Sequence, residues 1–237
     1  MAVDDAFTIA LLHMNGTNAS TTFTDESGKT WTANGNAQIN TAQSVFGGAS
    51  GLFDGTGDYI SAPDSTDWQL DGGSDANAWT MDFRVMFNGD PGTAIVGFVG
   101  QWVDSSNFWG FRLSANTLSF WVRSAASNIV LLSNAWNPAT ATWYHVAIVK
   151  NGTTGYMMFV DGIQVGTTQT DVSPIPNFAA SIAIGDSQDT AHHYLNGWMD
   201  EIRISKGIAR WTANFTPPTS AYGPSSTNTS NFFRMFS

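Results

Sequence analysis

The stretch NGWMDEIRISKGIARW, residues 196–211, decides how the chain is read. Apolar and polar residues alternate along it with the period of a β-strand, not of a helix. Read at period two, Trp198, Asp200, Ile202 and Ile204 share one face, while Met199, Glu201 and Arg203 share the other. A tryptophan and two isoleucines turn the first face inward and take Asp200 with them. Glu201 and Arg203 then form an exposed ion pair, worth about 0–1 kcal/mol. The two adjacent acids therefore point apart and are not a catalytic pair. A buried carboxylate must be hydrogen-bonded, paired or metal-bound. That leaves Asp200 either organising loop backbone N–H groups or serving as a calcium ligand.

The same alternation recurs along the chain. In AWTMDFRVMF (78–87), Trp79, Met81, Phe83, Val85 and Phe87 fall on one face, with Thr80, Asp82 and Arg84 opposite. NFWGFRLS (107–114), TLSFWVRS (117–124), TWYHVAIVK (142–150) and SIAIGD (181–186) read as further strands between Asn, Ser and Pro punctuation. Within GYMMFVDGIQVGTT (155–168), Asp161-Gly162 supplies the positive φ angles of a type I′ hairpin turn. Helix is confined to short pieces at Thr66–Leu70 and Ile208–Asn214, the latter stopped before Pro217-Pro218. Roughly a dozen strands without a βαβ rhythm predict an all-β chain, a two-sheet antiparallel jelly-roll sandwich. A chain of 237 residues fits one such domain, set here at residues 1–222. Residues 223–237 read as a Ser/Thr/Asn linker and a Phe-rich tail.

Composition removes several function classes. There is no cysteine, so thiol nucleophiles, disulfides and zinc–thiolate sites are excluded. A formal charge of −10 with only nine Lys or Arg, scattered, offers no basic stripe for nucleic acid. No apolar run approaches the roughly 20 residues of a membrane helix. MAVDDAFTIALLHMNG (1–16) carries acids where a signal peptide needs positive charge. The expectation is a soluble protein made in the cytoplasm. Calcium through oxygen ligands is the cofactor that an Asp-rich surface allows. However, FDGTGDY (53–59), with Asp54 and Asp58, lacks the spacing of an EF-hand, and its acids could equally organise Gly-rich turns.

WYHVAIVKNG (143–152), MMFVDGIQVG (157–166), SIAIGDS (181–187) and YLNGWMDEIRISKGIARW (194–211) together resemble the C-terminal half of laminin-G-like domains of the concanavalin A-like lectin/glucanase superfamily. LLHMNGTNASTTFTDESGKTW (11–31) and FGGASGLFDGTGDYISAPDS (46–65) resemble the opening strands of the same domains. The likeness runs from about Phe7 to Tyr222. DEIRISKGIARWTANFTPP (200–218) is most similar to the version found in bacteriophage virion and tail-associated proteins. The resemblance implies a jelly roll that binds carbohydrate or protein, sometimes with calcium at a rim. Relatives often carry Asp where this chain has Asn15, so it does not carry over an acidic cation site in that loop.

Glycosidases of this superfamily place paired glutamates on one strand as E-x-D-x-x-E. This chain has only Glu26 and Glu201, remote in sequence and outside any such motif. A retaining mechanism needs two carboxyl groups about 5–5.5 Å apart, and no G-x-S-x-G elbow offers a serine instead. The chain is therefore read as non-enzymatic. Sugar binding needs an aromatic surface with polar groups beside it, and two loops offer one. QWVDSSNFWG (101–110) carries Trp102, Asp104, Asn107 and Trp109, and GDSQDTAHHYLNG (185–197) carries Asp186, Asp189, His192, His193 and Tyr194. Core packing of the tryptophans and an ordinary polar loop are the plainer alternatives, and His145 reads as structural. In NFFRMFS (231–237), Phe232, Phe233, Met235 and Phe236 either fold back on the domain or dock on a partner.

The expected function is a lectin-like module on the virion surface, binding host or environmental glycans. Its alternative is a capsid or tail decoration protein held by its C-terminal tail. The sequence leaves a homo-oligomer open.

Overall fold

The computed structural model describes residues 5–223. Fifteen strands form two antiparallel sheets, as the alternation predicts. In chain order they are β1 (Thr8–Leu12), β2 (Thr32–Asn34), β3 (Gln38–Asn40), β4 (Ser50–Asp54), β5 (Tyr59–Ala62), β6 (Trp79–Phe87), β7 (Ile95–Asp104) and β8 (Asn107–Ser114). They continue as β9 (Thr117–Ser124), β10 (Ser127–Ala135), β11 (Trp143–Lys150), β12 (Tyr156–Val160), β13 (Ile163–Gln169), β14 (Ile182–Ile184) and β15 (Asn196–Lys206). The eight-stranded sheet runs β13-β12-β11-β6-β15-β4-β3, with β1 also pairing β15. The seven-stranded sheet runs β10-β9-β8-β7-β14-β5-β2. Among the described residues helix is limited to single 3-10 turns at Thr66–Trp68 and Gly152–Thr154. The short helix expected at Ile208–Asn214 is irregular chain instead. No described helix is long and apolar enough to cross a membrane.

Aromatic residues fill the space between the sheets. Phe83 from β6 meets Phe98 of β7 at 5.3 Å and Phe111 of β8 at 5.8 Å between ring centroids, and Trp79 meets Phe120 at 5.4 Å. Edge and tilted contacts of this kind add about 0.5–1.5 kcal/mol each beyond the area they bury. The β12–β13 hairpin turns on Asp161 (φ 49°) and Gly162 (φ 76°), the pair that the sequence marked.

In β15 the period-two reading breaks. Register with β6 runs Asp200↔Arg84 and then resumes at Arg203↔Asp82, so two residues oppose one in a β-bulge. Glu201 takes φ 50° to make the extra step. Met199 faces the core before the bulge, and Ile202 and Ile204 face it after. Trp198 and Asp200 therefore do not share the isoleucine face. Glu201 (1% exposed) and Arg203 (4%) are buried, not an exposed pair.

What buries them is the chain that follows β15. Residues 207–222 cross the outer face of the eight-stranded sheet, where Trp211 and Phe215 stack at 4.0 Å and cover Ala147, Val149, Met157 and Phe159. Thr80, Asp82 and His145, polar residues of this sheet, are sealed beneath the same segment. Among the described residues nothing comparable covers the outer face of the seven-stranded sheet over β7–β10, where Trp102, Arg112, Trp121, Leu131 and Ser133 are partly or fully exposed.

Candidate functional site

The open face follows from alternation in two strands. In β8, Trp109, Phe111 and Leu113 point into the core, which turns Phe108, Gly110 and Arg112 outward. In β9, Leu118, Phe120 and Val122 point inward and turn Ser119, Trp121 and Arg123 outward. Trp102 at the end of β7 stacks on Phe108 at 4.5 Å, and Phe108 meets the edge of Trp121 at 4.8 Å. Asn128 Oδ1 accepts from Trp121 Nε1 at 2.8 Å and fixes that ring. Two guanidinium groups flank the ring, Arg112 at 4.7 Å and Arg123 at 6.0 Å from its centroid.

The Arg112–Trp121 pair forms a ridge between two depressions. One is a narrow slot of about 10 Å³ lined by Trp102, Phe108, Gly110, Ser187 and Asp189. It has room for about one water. The other is a trough of about 410 Å³ lined by Ser114, Thr117, Ser119, Asn128, Leu131 and Ser133. Its volume lies within the range of small-molecule sites, and hydroxyl and amide groups dominate its walls. A saccharide ring could lie here with its apolar face toward Trp121 and its hydroxyls toward Ser119, Ser133 and Asn128.

The two loops singled out in the sequence meet at the slot, through Trp102 and Asp189. Their other members do different work. Trp109 is 1% exposed and gives its Nε1–H to Gln101 Oε1 at 2.9 Å, so it is a core residue and offers no ring face to a ligand. Asp104 holds the β7–β8 turn, accepting from Ser106 N at 2.7 Å and from Asn107 Nδ2 at 3.1 Å. Asp186 is fully buried and organises its own loop through His192 Nδ1 at 2.7 Å and His193 N at 3.0 Å. His193 Nδ1 lies 2.9 Å from Asp189 Oδ2. His192 stacks on Tyr194 at 5.4 Å and Tyr194 on Tyr59 at 6.3 Å, a ladder of rings at the rim. Below it a cleft of about 300 Å³ is lined by Asp54, Asp90 and Asn196. Phe108, Arg112 and Trp121 were not among the sequence candidates, although alternation in NFWGFRLS and TLSFWVRS points all three away from the core.

Asp200 Oδ2 accepts backbone N–H groups from Val45 at 2.7 Å and Phe46 at 3.2 Å, while buried Oδ1 has no hydrogen-bond partner among the described residues. Burial pushes its carboxyl up to about 6, only partly offset by those two N–H groups. Among the described residues no group of three or more His, Asp or Glu side chains gathers as a metal would require. Asp58 closes the 53–59 loop by accepting from Asp54 N and Asn36 N. The tail residues Phe232, Phe233, Met235 and Phe236 lie outside the described residues.

Beneath residues 207–222, Arg203 grips Asp82 with Nε at 3.0 Å and Nη2 at 3.3 Å. His145 Nε2 lies 3.2 Å from the same carboxylate, and the Tyr222 hydroxyl donates to it. Burial alone would raise Asp82, but the Arg203 charge and the His145 and Tyr222 contacts hold it well below the usual carboxylate range. Glu201 is engaged at both oxygens, by His13 Nδ1 at 2.8 Å and Tyr222 N at 2.9 Å. That hydrogen bond raises the His13 imidazole above its ordinary value against the opposing effect of burial.

A laminin G family model, described as the concanavalin A-like lectin/glucanases superfamily, matches residues 54–210. No curated protein matches the chain. Among solved structures, the botulinum neurotoxin serotype D binding domain superposes with a TM-score of 0.64 at 14% identity, over 87% of this chain and 49% of that one. The binding domain of Paraclostridial mosquitocidal protein 1 gives 0.64 at 13% identity, over 86% and 49%. A botulinum neurotoxin type C structure, described by a cell entry dependent upon interaction with two ganglioside molecules, gives 0.61 at 15% identity, over 86% and 48%. The chain thus spans about half the length of these structures, and identities this low report a shared fold.

Proposed function

This chain belongs to the laminin-G-like domains of the concanavalin A-like lectin/glucanases superfamily, and from that premise we propose that it is a non-enzymatic saccharide-binding module. The observation that carries the reading is the outer face of β7–β10, left open among the described residues, where partly exposed Trp121 borders a trough walled by hydroxyl and amide groups and partly exposed Trp102 lines the slot beside it. An apolar ring face for stacking and hydrogen-bonding groups for hydroxyls are the two requirements of sugar recognition. The non-enzymatic reading is supported by Glu201, whose two oxygens are bonded inside the protein and which is closed to substrate. The ganglioside-dependent type C toxin is a structural neighbour whose ligand class agrees with the reading.

Binding is tested by a glycan array with purified protein, with calcium and with chelator, followed by calorimetry on the best ligand. Trp121→Ala removes a half-exposed ring from outside the core and should weaken binding at least tenfold with the fold intact. Unchanged affinity in this variant would remove the site from this face. Binding that survives chelator makes the site metal-independent, whereas loss would bring Asp200 back as a calcium ligand.

The similarity of residues 200–218 to phage tail-associated domains supports display on a virion surface, made in the host cytoplasm. The tail NFFRMFS is then the docking segment for a capsid or tail protein. Deleting residues 231–237 should abolish incorporation into particles while leaving saccharide binding untouched. Normal incorporation would end the docking idea.

A further inference from the structure

Arg112 differs from the other basic side chains of the described chain. Lys29 and Lys150 pair with Asp67 and Asp71. Arg84, Arg123 and Lys206 donate to backbone carbonyls, and Arg203 and Arg210 bond to Asp82 and Asp5. Arg112 alone among the described residues neither donates a hydrogen bond nor joins an ion pair. Its polar head lies against the Trp121 ring, and its Nε is closed off from solvent without an acceptor. Burial lowers its pKa, and the Asp189 charge offsets part of that effect without a direct contact between the two groups. A partly desolvated cation whose buried Nε has no acceptor is costly, and it stands in a protein whose net charge is −10. Arg123 adds a second positive group, 6.0 Å from the centroid of the same ring.

Resting on the saccharide reading of this face, we propose that its ligand is an acidic sugar whose carboxylate is received by Arg112. A guanidinium matches a carboxylate in plane and donor spacing, and the pair is stronger for being charge-assisted. Arg112 stands between the trough and the slot, lining both, so a ring lying in the trough would bring a carboxylate substituent to the ridge. Trp121 then serves the apolar face of the ring, and Ser119, Ser133 and Asn128 serve its hydroxyls. Asp189, already engaged by His193, limits the site to one negative group.

The experiment compares matched probes by calorimetry on the full chain. These are oligogalacturonate against its methyl ester, sialyllactose against lactose, and sulfated dextran against dextran, each with wild type, Arg112→Gln and Trp121→Ala. The expected result is that at least one carboxylate probe binds ten-fold or more tighter than its neutral counterpart. Arg112→Gln should abolish that preference, bringing the acidic probe down to the affinity of its neutral counterpart in the same variant, and Trp121→Ala should weaken both. If acid and neutral probes bind wild type equally, or if Arg112→Gln leaves the preference intact, the carboxylate assignment is overturned while saccharide binding stands. Preference for sulfated dextran alone also overturns it, in favour of a sulfate ester. If no probe binds, or Trp121→Ala has no effect on binding, the reading of the face fails and the assignment fails with it. Circular dichroism of both variants confirms folding, which substitutions on an exposed sheet face leave intact.

Discussion

Asp200 carries its charge at a cost that depends on pH. Its folded value of about 6 stands above the ordinary 3.8. Between about pH 4 and 6 the folded protein therefore holds a proton that the unfolded chain has released. Stability from this group is full below about 4 and is lost as pH rises through 6, by on the order of 2–3 kcal/mol. Asp200→Asn keeps an acceptor for Val45 and Phe46 and has no charge to bury. Relative to wild type, the variant should gain about 1–3 kcal/mol in urea unfolding between pH 4 and 7.5. A difference that stays flat across that range would mean that Asp200 does not titrate in the fold. That Asp200 would be buried was legible in the sequence, but the reason given for it was not. Its burial comes from the 45–46 loop folding over it, not from the face of the isoleucines.

At the scale of elements, the strands were readable and the bulge in β15 was not. Alternation marks where a strand runs, and the Asp161-Gly162 turn follows from local chemistry alone. A bulge is an extra residue whose φ depends on the partner strand, here Asp82 to Arg84 of β6, and no local signal in DEIR announces it. The same limit explains why the burial of Asp82, read only as lying opposite the apolar face of its strand, could not be foreseen. The segment that covers it comes more than a hundred residues later and buries it through Trp211, Phe215 and Tyr222. The energetic weight of that cover can be measured. Tyr222→Phe takes one donor from a buried carboxylate and should cost about 1–2 kcal/mol. Asp82→Ala leaves Arg203 and His145 without their shared anion and should cost about 3–5 kcal/mol. Because Asp82 titrates below its ordinary value, its stabilisation is present at neutral pH and disappears on acidification below about pH 4. Equal stability of the Tyr222→Phe variant and wild type at pH 7 would show that the hydroxyl contributes nothing to the cover.

For the whole molecule, the two broad outer faces have different fates. Residues 207–222 seal one, and among the described residues the other keeps aromatic and cationic side chains in reach of solvent. The candidate site was half-legible for this reason. Trp102 and Asp189 sit in loops rich enough in aromatic and polar residues to be noticed one at a time. Arg112 and Trp121 are ordinary members of alternating strands, and their meaning depends on which face the fold leaves bare. Trp109, one residue from Phe108 and Gly110 on that face, shows how a single step along the strand separates a core ring from a surface one.

The arrangement of β15 bears on how the chain is made. The sixth and the first strands both pair with it, and they are joined across the sheet only through this last strand. During synthesis from the N-terminus, the eight-stranded sheet must wait with its centre missing until residues 196–206 leave the ribosome. Its outer layer waits longer still, for residues 207–222. Pairings that distant in sequence fold slowly, and the exposed edges of β6 and β1 invite chaperones in the interval. Nascent chains arrested with residue 195 outside the exit tunnel should be digested rapidly by protease. Chains extended past residue 222 should resist it, with no stable intermediate between the two lengths.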